Sequence, residues 1–259
     1  MSDDELLYDI KDQIGTITLN RPSARNALTF TMYQKLADIC QSVPTDGSVR
    51  AIIVRGAGDK AFAAGTDISL FKDFSPEQGV EYEKGAERYF SAIARCPVPT
   101  IAAIAGACTG GGAGIAAVCD MRLASADLKF GFPIARTLGN TLSADTLARL
   151  VNHVGEAKVI DLIYTSRLMG AEEALQCGLV NEVLEDCNAV MARAHDLAER
   201  LKQHAPLTMR SIKTLLRRMR EARPTVEDED VIAEVYGSSD FAEGMDAFLS
   251  KRRPNWQGR

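Results

Sequence analysis

Five glycines crowd into Gly106-Ala107-Cys108-Thr109-Gly110-Gly111-Gly112-Ala113-Gly114, where a β-branched run turns into a short apolar segment, Ile115-Ala116-Ala117-Val118. Glycine in an element interior costs order, so such a block next to an apolar run points to use of the backbone itself. A strand that feeds a helix through glycines leaves N–H groups unpaired at the helix N-terminus, where the helix dipole also favours negative charge. The chemistry this suggests is the binding of an anion or of a developing oxyanion. Three other readings compete. Cys96 to Cys119 carries no charge and could span a membrane, although two prolines and few large side chains argue against it. A dinucleotide loop would need G-x-G-x-x-G spacing, and a phosphate loop would need a lysine; both are absent. The last is tight packing of a helix on a sheet, with no chemistry at all.

The elements that would position this stretch can be read from periodicity and caps. Ile14 to Asn20 alternates as a strand and stops at Asn20-Arg21-Pro22. Thr29 can cap a helix through Met32, Leu36 and Ile39. Arg50 to Arg55 reads as a buried strand, Pro76 opens a polar helix to about Arg95, and Met121 to Phe130 holds one or two short strands. Helices then dominate: Ser143 to Val151, Glu156 to Tyr164, Ala171 to Cys177, Asn188 to His204, Pro206 to Arg220, Val226 to Tyr236 and Asp240 to Ser250. Strands alternating with helices, followed by helices alone, predict an α/β core with parallel strands and a C-terminal helical extension.

At 259 residues and 46% hydrophobic, the chain can bury one large core. A net charge of -5 gives no general basic field, so nucleic acid is not an expected partner. The acidic start, Met1-Ser2-Asp3-Asp4-Glu5, lacks the features of a signal peptide. Six cysteines without a C-x-x-C pair read as free thiols in a reducing cytoplasm, and three scattered histidines offer no metal-ligand spacing. A metal site, a separate cofactor and a membrane partner are therefore not expected.

Two stretches together carry a family resemblance: Ala61-Phe62-Ala63-Ala64-Gly65-Thr66-Asp67-Ile68, and Ile104-Ala105-Gly106 through the glycine block to Cys119-Asp120. Asn20-Arg21-Pro22 with Asn26-Ala27-Leu28, Phe130-Gly131-Phe132-Pro133, Gly178-Leu179-Val180 and Asp240-Phe241-Ala242-Glu243-Gly244 add to it in order along the chain. The chain resembles the crotonase, or enoyl-CoA hydratase/isomerase, superfamily. What the resemblance implies is a repeated ββα spiral core (residues 1–200) with C-terminal helices (201–259) that support a homotrimer or dimer of trimers. The implied ligand is an acyl-CoA thioester, with coenzyme A as part of the substrate. Its carbonyl oxygen would rest on the backbone N–H groups of Thr66 and Gly111, and preorganised donors of this kind are each worth roughly 3–4 kcal/mol to a transition state. By the same resemblance Ala64, Asp67 and Ile68 would line the adenine and pantetheine portions, and Arg25 would face the coenzyme phosphates.

The chain departs from the family where acid/base chemistry is expected. The two glutamates of a hydratase fall at Gly114 and Ile134 here. Asp145 is the candidate acid in the neighbouring segment, against a plain helix-cap role behind Ser143. Arg136 and Asn140 are candidates to bind a polar acyl group or a carboxylate, against ordinary turn roles. His153, near a helix end, reads as a cation complementing the dipole. The expected function is enolate stabilisation on an acyl-CoA thioester. Decarboxylation of a polar acyl-CoA, or binding without catalysis, are the alternatives.

Overall fold

A computed structural model describes residues 4–222 and 224–259; Met1–Asp3, on which the reading of an acidic start partly rests, lie outside the described residues. The chain opens with the hairpin of β1 (Leu6–Lys11) and β2 (Ile14–Leu19), whose two turn residues, Asp12 and Gln13, both have positive φ. That geometry matches the twist of the paired strands. Helix α1 (Phe30–Ser42) follows, with the Thr29 hydroxyl accepting from the Met32 N–H as expected.

Then a unit of two strands and a helix recurs. It runs β3 (Ala51–Gly56), β4 (Ala61–Ala63), α2 (Pro76–Ala94); β5 (Thr100–Ile104), β6 (Ala107–Thr109), α3 (Gly111–Val118); and β7 (Met121–Ser125), β8 (Lys129–Gly131), α4 (Ile134–Thr137). Three further helices, α5 (Ala144–Val154), α6 (Glu156–Tyr164) and α7 (Ala171–Gln176), lead to β9 (Glu182–Leu184) and α8 (Cys187–Lys202). The chain closes with α9 (Pro206–Glu221), α10 (Glu229–Tyr236) and α11 (Ser239–Leu249).

The first strand of each unit enters a six-stranded sheet of order β1-β2-β3-β5-β7-β9, parallel except for the hairpin. The second strand enters a separate parallel sheet, β4-β6-β8. This is the ββα spiral. Strands β3 and β5 are buried almost throughout because both faces are covered. Val190, Ala194, Leu197 and Ala198 of α8 pack on one face against Ile53, Ile101 and Leu123, and the main core fills the other.

The run from Cys96 to Cys119, once a conceivable membrane span, is β5, β6 and α3, and no described helix is long and apolar enough to cross a membrane. Strands β1, β4, β6 and β9 and the one-turn α4 were not anticipated, and α10 starts at Glu229 rather than Val226.

Two features of the fold bear on the site. Ser75 and Gln78 form a capping box at the start of α2, behind Pro76. The buried face of that helix is Gly79, Glu83, Ala86, Phe90 and Ile93, an apolar stripe with one carboxyl in it. The C-terminal helices α10 and α11 fold back over α2 and α4 through Phe71, Leu138, Ile232, Tyr236, Phe241 and Met245. Helix α9 instead exposes a row of apolar side chains: Leu207, Ile212, Leu215, Leu216 and Met219.

Candidate active site

Thr66 lies just beyond β4, on a turn clamped by Leu28. The Leu28 N–H donates to the Gly65 carbonyl and the Asp67 N–H donates to the Leu28 carbonyl, both at 2.8 Å. In a parallel bridge of this kind the middle residue turns its own N–H to the opposite side. The clamp itself hangs on Asn26, which is 1% exposed. Its Oδ1 accepts the Arg21 N–H at 3.0 Å, and its Nδ2 donates to the carbonyls of Ala61 (2.8 Å) and Ala57 (3.0 Å). Asn26 also holds a left-handed backbone, φ 56. Asn26→Ala orphans these buried groups and loses the side chain that tolerates that conformation, so unfolding free energy is expected to fall by about 3–5 kcal/mol in urea titrations.

Gly111 opens α3. Gly110 before it has φ 52 and ψ −123 and anchors the turn by donating to the Gly131 carbonyl at 3.0 Å. A Cβ on Gly110 would sit 3.3 Å from the Gly65 Cα; one on Gly111 would sit 3.0 Å from Thr66 Oγ1 and only 1.7 Å from Tyr33 Oη. The two turns are therefore side by side, and only glycine fits at 111. Among the described residues neither the Thr66 nor the Gly111 N–H has a hydrogen-bond acceptor. Each follows a glycine of positive φ, Gly65 at 106° and Gly110 at 52°.

Beside these donors runs a chain of hydroxyls. Thr66 Oγ1 lies 2.9 Å from Tyr33 Oη and 2.8 Å from Tyr82 Oη. Burial raises both tyrosines above their ordinary range, so both are neutral at physiological pH. One residue on from Tyr82, Glu83 is 4% exposed. Its Oε1 accepts from Tyr236 Oη at 2.8 Å and its Oε2 from the Ser143 N–H at 3.3 Å. Desolvation lifts its carboxyl from 4.5 to about 7, against the opposing pull of those two donors. Asn140 Nδ2 reaches Tyr236 Oη at 3.4 Å, while its buried Oδ1 has no partner among the described residues.

The positions at which the family's glutamates would stand carry no carboxyl. A Cβ on Gly114 would lie 2.3 Å from Cζ of Phe90, so that ring fills the space. Ile134, half-buried at the start of α4, packs against the main core.

The remaining candidates are placed as follows. Ala64 donates its N–H to the Arg25 carbonyl at 3.0 Å, so Arg25 and the Thr66 turn are joined through backbone. The Arg25 side chain is exposed, without a hydrogen bond or ion pair among the described residues. Asp67 is occupied: it caps the turn Ile68–Phe71 and pairs with Arg21 at 3.0 Å, and Ser69 followed by Arg21 holds its carboxyl below the ordinary range. Ile68 packs on Phe71 and its neighbours. Arg136 is exposed on α4.

Asp145 sits exposed in the first turn of α5, paired with Arg149 at 2.8 Å, and none of its hydrogen bonds reaches the Thr66 and Gly111 turns. Such an exposed i,i+4 pair is worth about 0.3–0.5 kcal/mol, so Asp145→Asn is expected to shift the denaturation midpoint only slightly. His153 is not the dipole-complementing cation its position suggested. It is half-buried, lies 2.8 Å from the Ala117 carbonyl through Nε2, and desolvation, then Arg122, pushes it down to about 4. A cavity of about 580 Å³ lies at the far end of α3, between α5 and α9, lined by Val118, His153, Ile212 and Leu216 among others; none of Thr66, Gly111 and Glu83 lines it. Among the described residues no group of His, Cys, Asp and Glu is arranged to hold a metal.

Tyr33, Tyr82, Glu83 and Tyr236 were not picked out from the sequence. Glu83 had a signal: it is the one ionisable residue in the Gly79, Ala86, Phe90, Ile93 stripe.

Comparison with known proteins follows the same lines. The family model for enoyl-CoA hydratase/isomerase matches residues 9–259. A short-chain-enoyl-CoA hydratase from Clostridium acetobutylicum is 31% identical, covering 96% of this chain and 95% of the relative. The crystal structure of an enoyl-CoA hydratase/carnithine racemase from Magnetospirillum magneticum superposes with a TM-score of 0.79 at 36% identity, over 100% of this chain and 97% of the other. A methylmalonyl-CoA decarboxylase in complex with 2-nitronate-propionyl-CoA gives a TM-score of 0.86 at 27% identity, over 99% of both chains. The chain belongs to the enoyl-CoA hydratase/isomerase family, a crotonase-fold enzyme of acyl-CoA metabolism.

Proposed function

We propose that the enzyme binds an acyl-CoA thioester with its carbonyl oxygen on the N–H groups of Thr66 and Gly111 and stabilises the enolate that forms there. The observation that carries this reading is the pair of acceptor-free N–H groups on adjacent glycine turns, one at the start of an eight-residue helix. Charge that develops on the oxygen meets donors already in place, so nothing must reorganise as the reaction proceeds. Arg25, exposed, unpaired among the described residues and tied to the Thr66 turn through Ala64, is suited to the coenzyme phosphates. Ala64 and Ile68, with the backbone held by Asp67, line the same approach. Arg136 and Asn140 face a polar acyl group, Asn140 with an unused acceptor. Coenzyme A enters as part of the substrate, with no separate cofactor. The apolar row on α9 favours self-association, as a trimer or a dimer of trimers. Six free thiols, four of them buried, suit a reducing cytoplasm.

A proline at 111 would remove the donor but also strike Tyr33, so the clean test replaces the 110–111 peptide bond with an ester. That variant keeps the shape and loses one N–H. Affinity for a nitronate analogue of an acyl-CoA, which places negative charge at the carbonyl position, is expected to fall by about 10²–10³-fold. Undiminished nitronate binding sinks the assignment. Decarboxylation is the second reading, favoured by the absence of a carboxyl at 114 and 134. A malonyl-type thioester releases carbon dioxide to give the same enolate without a base. Loss of carbon dioxide from malonyl- or methylmalonyl-CoA, against loss of the conjugated absorbance of crotonyl-CoA in hydration, separates the two.

A further inference from the structure

We propose that Glu83, presented from α2 beside the hydroxyls of the Thr66 turn, is the catalytic residue that exchanges a proton with the acyl group, in place of carboxyls at 114 and 134. The inference rests on the enolate reading and adds the group that would move the proton.

Three observations converge on it. First, Glu83 and Phe90 stand seven residues, two turns, apart on the buried face of α2. Phe90 fills the space in front of Gly114, so the helix that closes the family's usual position also carries a carboxyl into the interior. Second, Tyr82 next to it bonds Thr66 Oγ1, which fixes this turn of α2 against the donor at 66. Third, no cation pairs with Glu83 among the described residues. Its contacts are a phenol and a backbone N–H, and each oxygen keeps a free lone pair.

The groups facing it are Glu87 on the same helix, Asp228 ahead of α10, and the neutral tyrosines 33, 82 and 236. The two carboxylates and the burial all favour the protonated form, so the group is poised near neutrality, where a general base is most effective. A buried carboxyl with no cation is costly to keep for structure alone.

The step balances without a co-reactant. The carboxylate takes a proton from the carbon next to the thioester carbonyl. That C–H bond breaks, its electron pair spreads onto the oxygen held at Thr66 and Gly111, and the proton rests on Glu83. Returned to the same carbon, it restores the thioester. Returned to the γ-carbon of a 3-enoyl thioester, it moves the double bond into conjugation.

The experiment follows deuterium uptake into butanoyl-CoA in heavy water, and conversion of 3-hexenoyl-CoA to the 2-enoyl thioester, for the wild type, E83Q and E83D. Nitronate binding is measured on the same proteins. The wild type is expected to exchange and isomerise, with a rate that rises with pH through about 7. E83Q is expected to lose about 10²–10⁴-fold in both reactions while binding the nitronate as well as the wild type does. E83D is expected to recover part of the rate with a displaced pH midpoint. Equal rates in E83Q and the wild type overturn the proposal, as do parallel losses in E83Q and E83D with an unchanged pH profile. A wild type that binds the nitronate tightly but neither exchanges nor isomerises overturns it too and leaves the enolate reading standing. Weak nitronate binding by the wild type removes both.

Discussion

Gly114→Glu, which places a glutamate where the family resemblance would put one, is expected to destabilise the protein rather than equip it. The new Cβ would lie 2.3, 2.8 and 3.1 Å from three atoms of the Phe90 ring, on a helix whose neighbours are all buried. Overpacking of this kind costs about 1–3 kcal/mol, and a carboxyl forced in among apolar atoms adds about as much again or more. A loss of about 4 kcal/mol or more in unfolding free energy is therefore expected in urea titrations. Phe90→Ala alone should cost about 3–5 kcal/mol through its cavity. The double variant should be markedly more stable than the sum of the two losses, because the ring and the new side chain compete for one space. A Gly114→Glu protein as stable as the wild type would mean that α2 moves aside freely, and that the space at 114 is not closed.

The second large effect is a dependence of stability on pH set by Glu83. In the unfolded chain its carboxyl titrates near 4.5; in the folded protein burial raises it to about 7. As pH rises past 4.5 the unfolded state releases the proton first, so unfolding becomes progressively easier. The contribution of this group is fully present below about 4.5 and lost once pH has risen through about 7. At about 1.4 kcal/mol per pH unit the whole change is on the order of 3 kcal/mol. E83Q cannot titrate there. Its stability relative to the wild type should therefore rise between pH 5 and pH 8 by an amount of that order. His153 acts in the opposite sense: held down to about 4, it stabilises above its ordinary 6.5 and loses that contribution as pH falls. It is present in both proteins, so it cancels in the difference. Denaturation curves of the two proteins that stay a constant distance apart across this range would refute the raised carboxyl.

The glycine turn ahead of α3 was legible because its signal is local. A block of glycines between an apolar strand and an apolar helix marks α3, whereas the Ala64-Gly65-Thr66-Asp67 turn follows the three-residue β4 and was reached only through the family resemblance. The long helices were legible for a similar reason, through Thr29 as a cap and Pro76 and Pro206 at helix starts. The second sheet was not. Strands β4, β6 and β8 are three residues each, shorter than any alternation can reveal, and only the spiral brings them together. Glu83 and Tyr236 meet across 153 residues of sequence, a distance that no motif bridges. Asp145, a candidate from the sequence, pairs with Arg149 in the first turn of α5, a partner that its four-residue spacing already offered.

The two donors at 66 and 111 are amide hydrogens of the main chain, each set by a left-handed glycine before it. Main-chain amides carry no ionisation in the working range, no oxidisable atom and no side chain that a point mutation can exchange. A charge held there, as proposed, is thus insulated from acidity, oxidants and most sequence drift. Any limb in a rate profile must then arise from a side chain or from the substrate. On the proposed reading, the carboxyl that moves protons comes from α2 while the cradle for the carbonyl stays on the turns at 66 and 111.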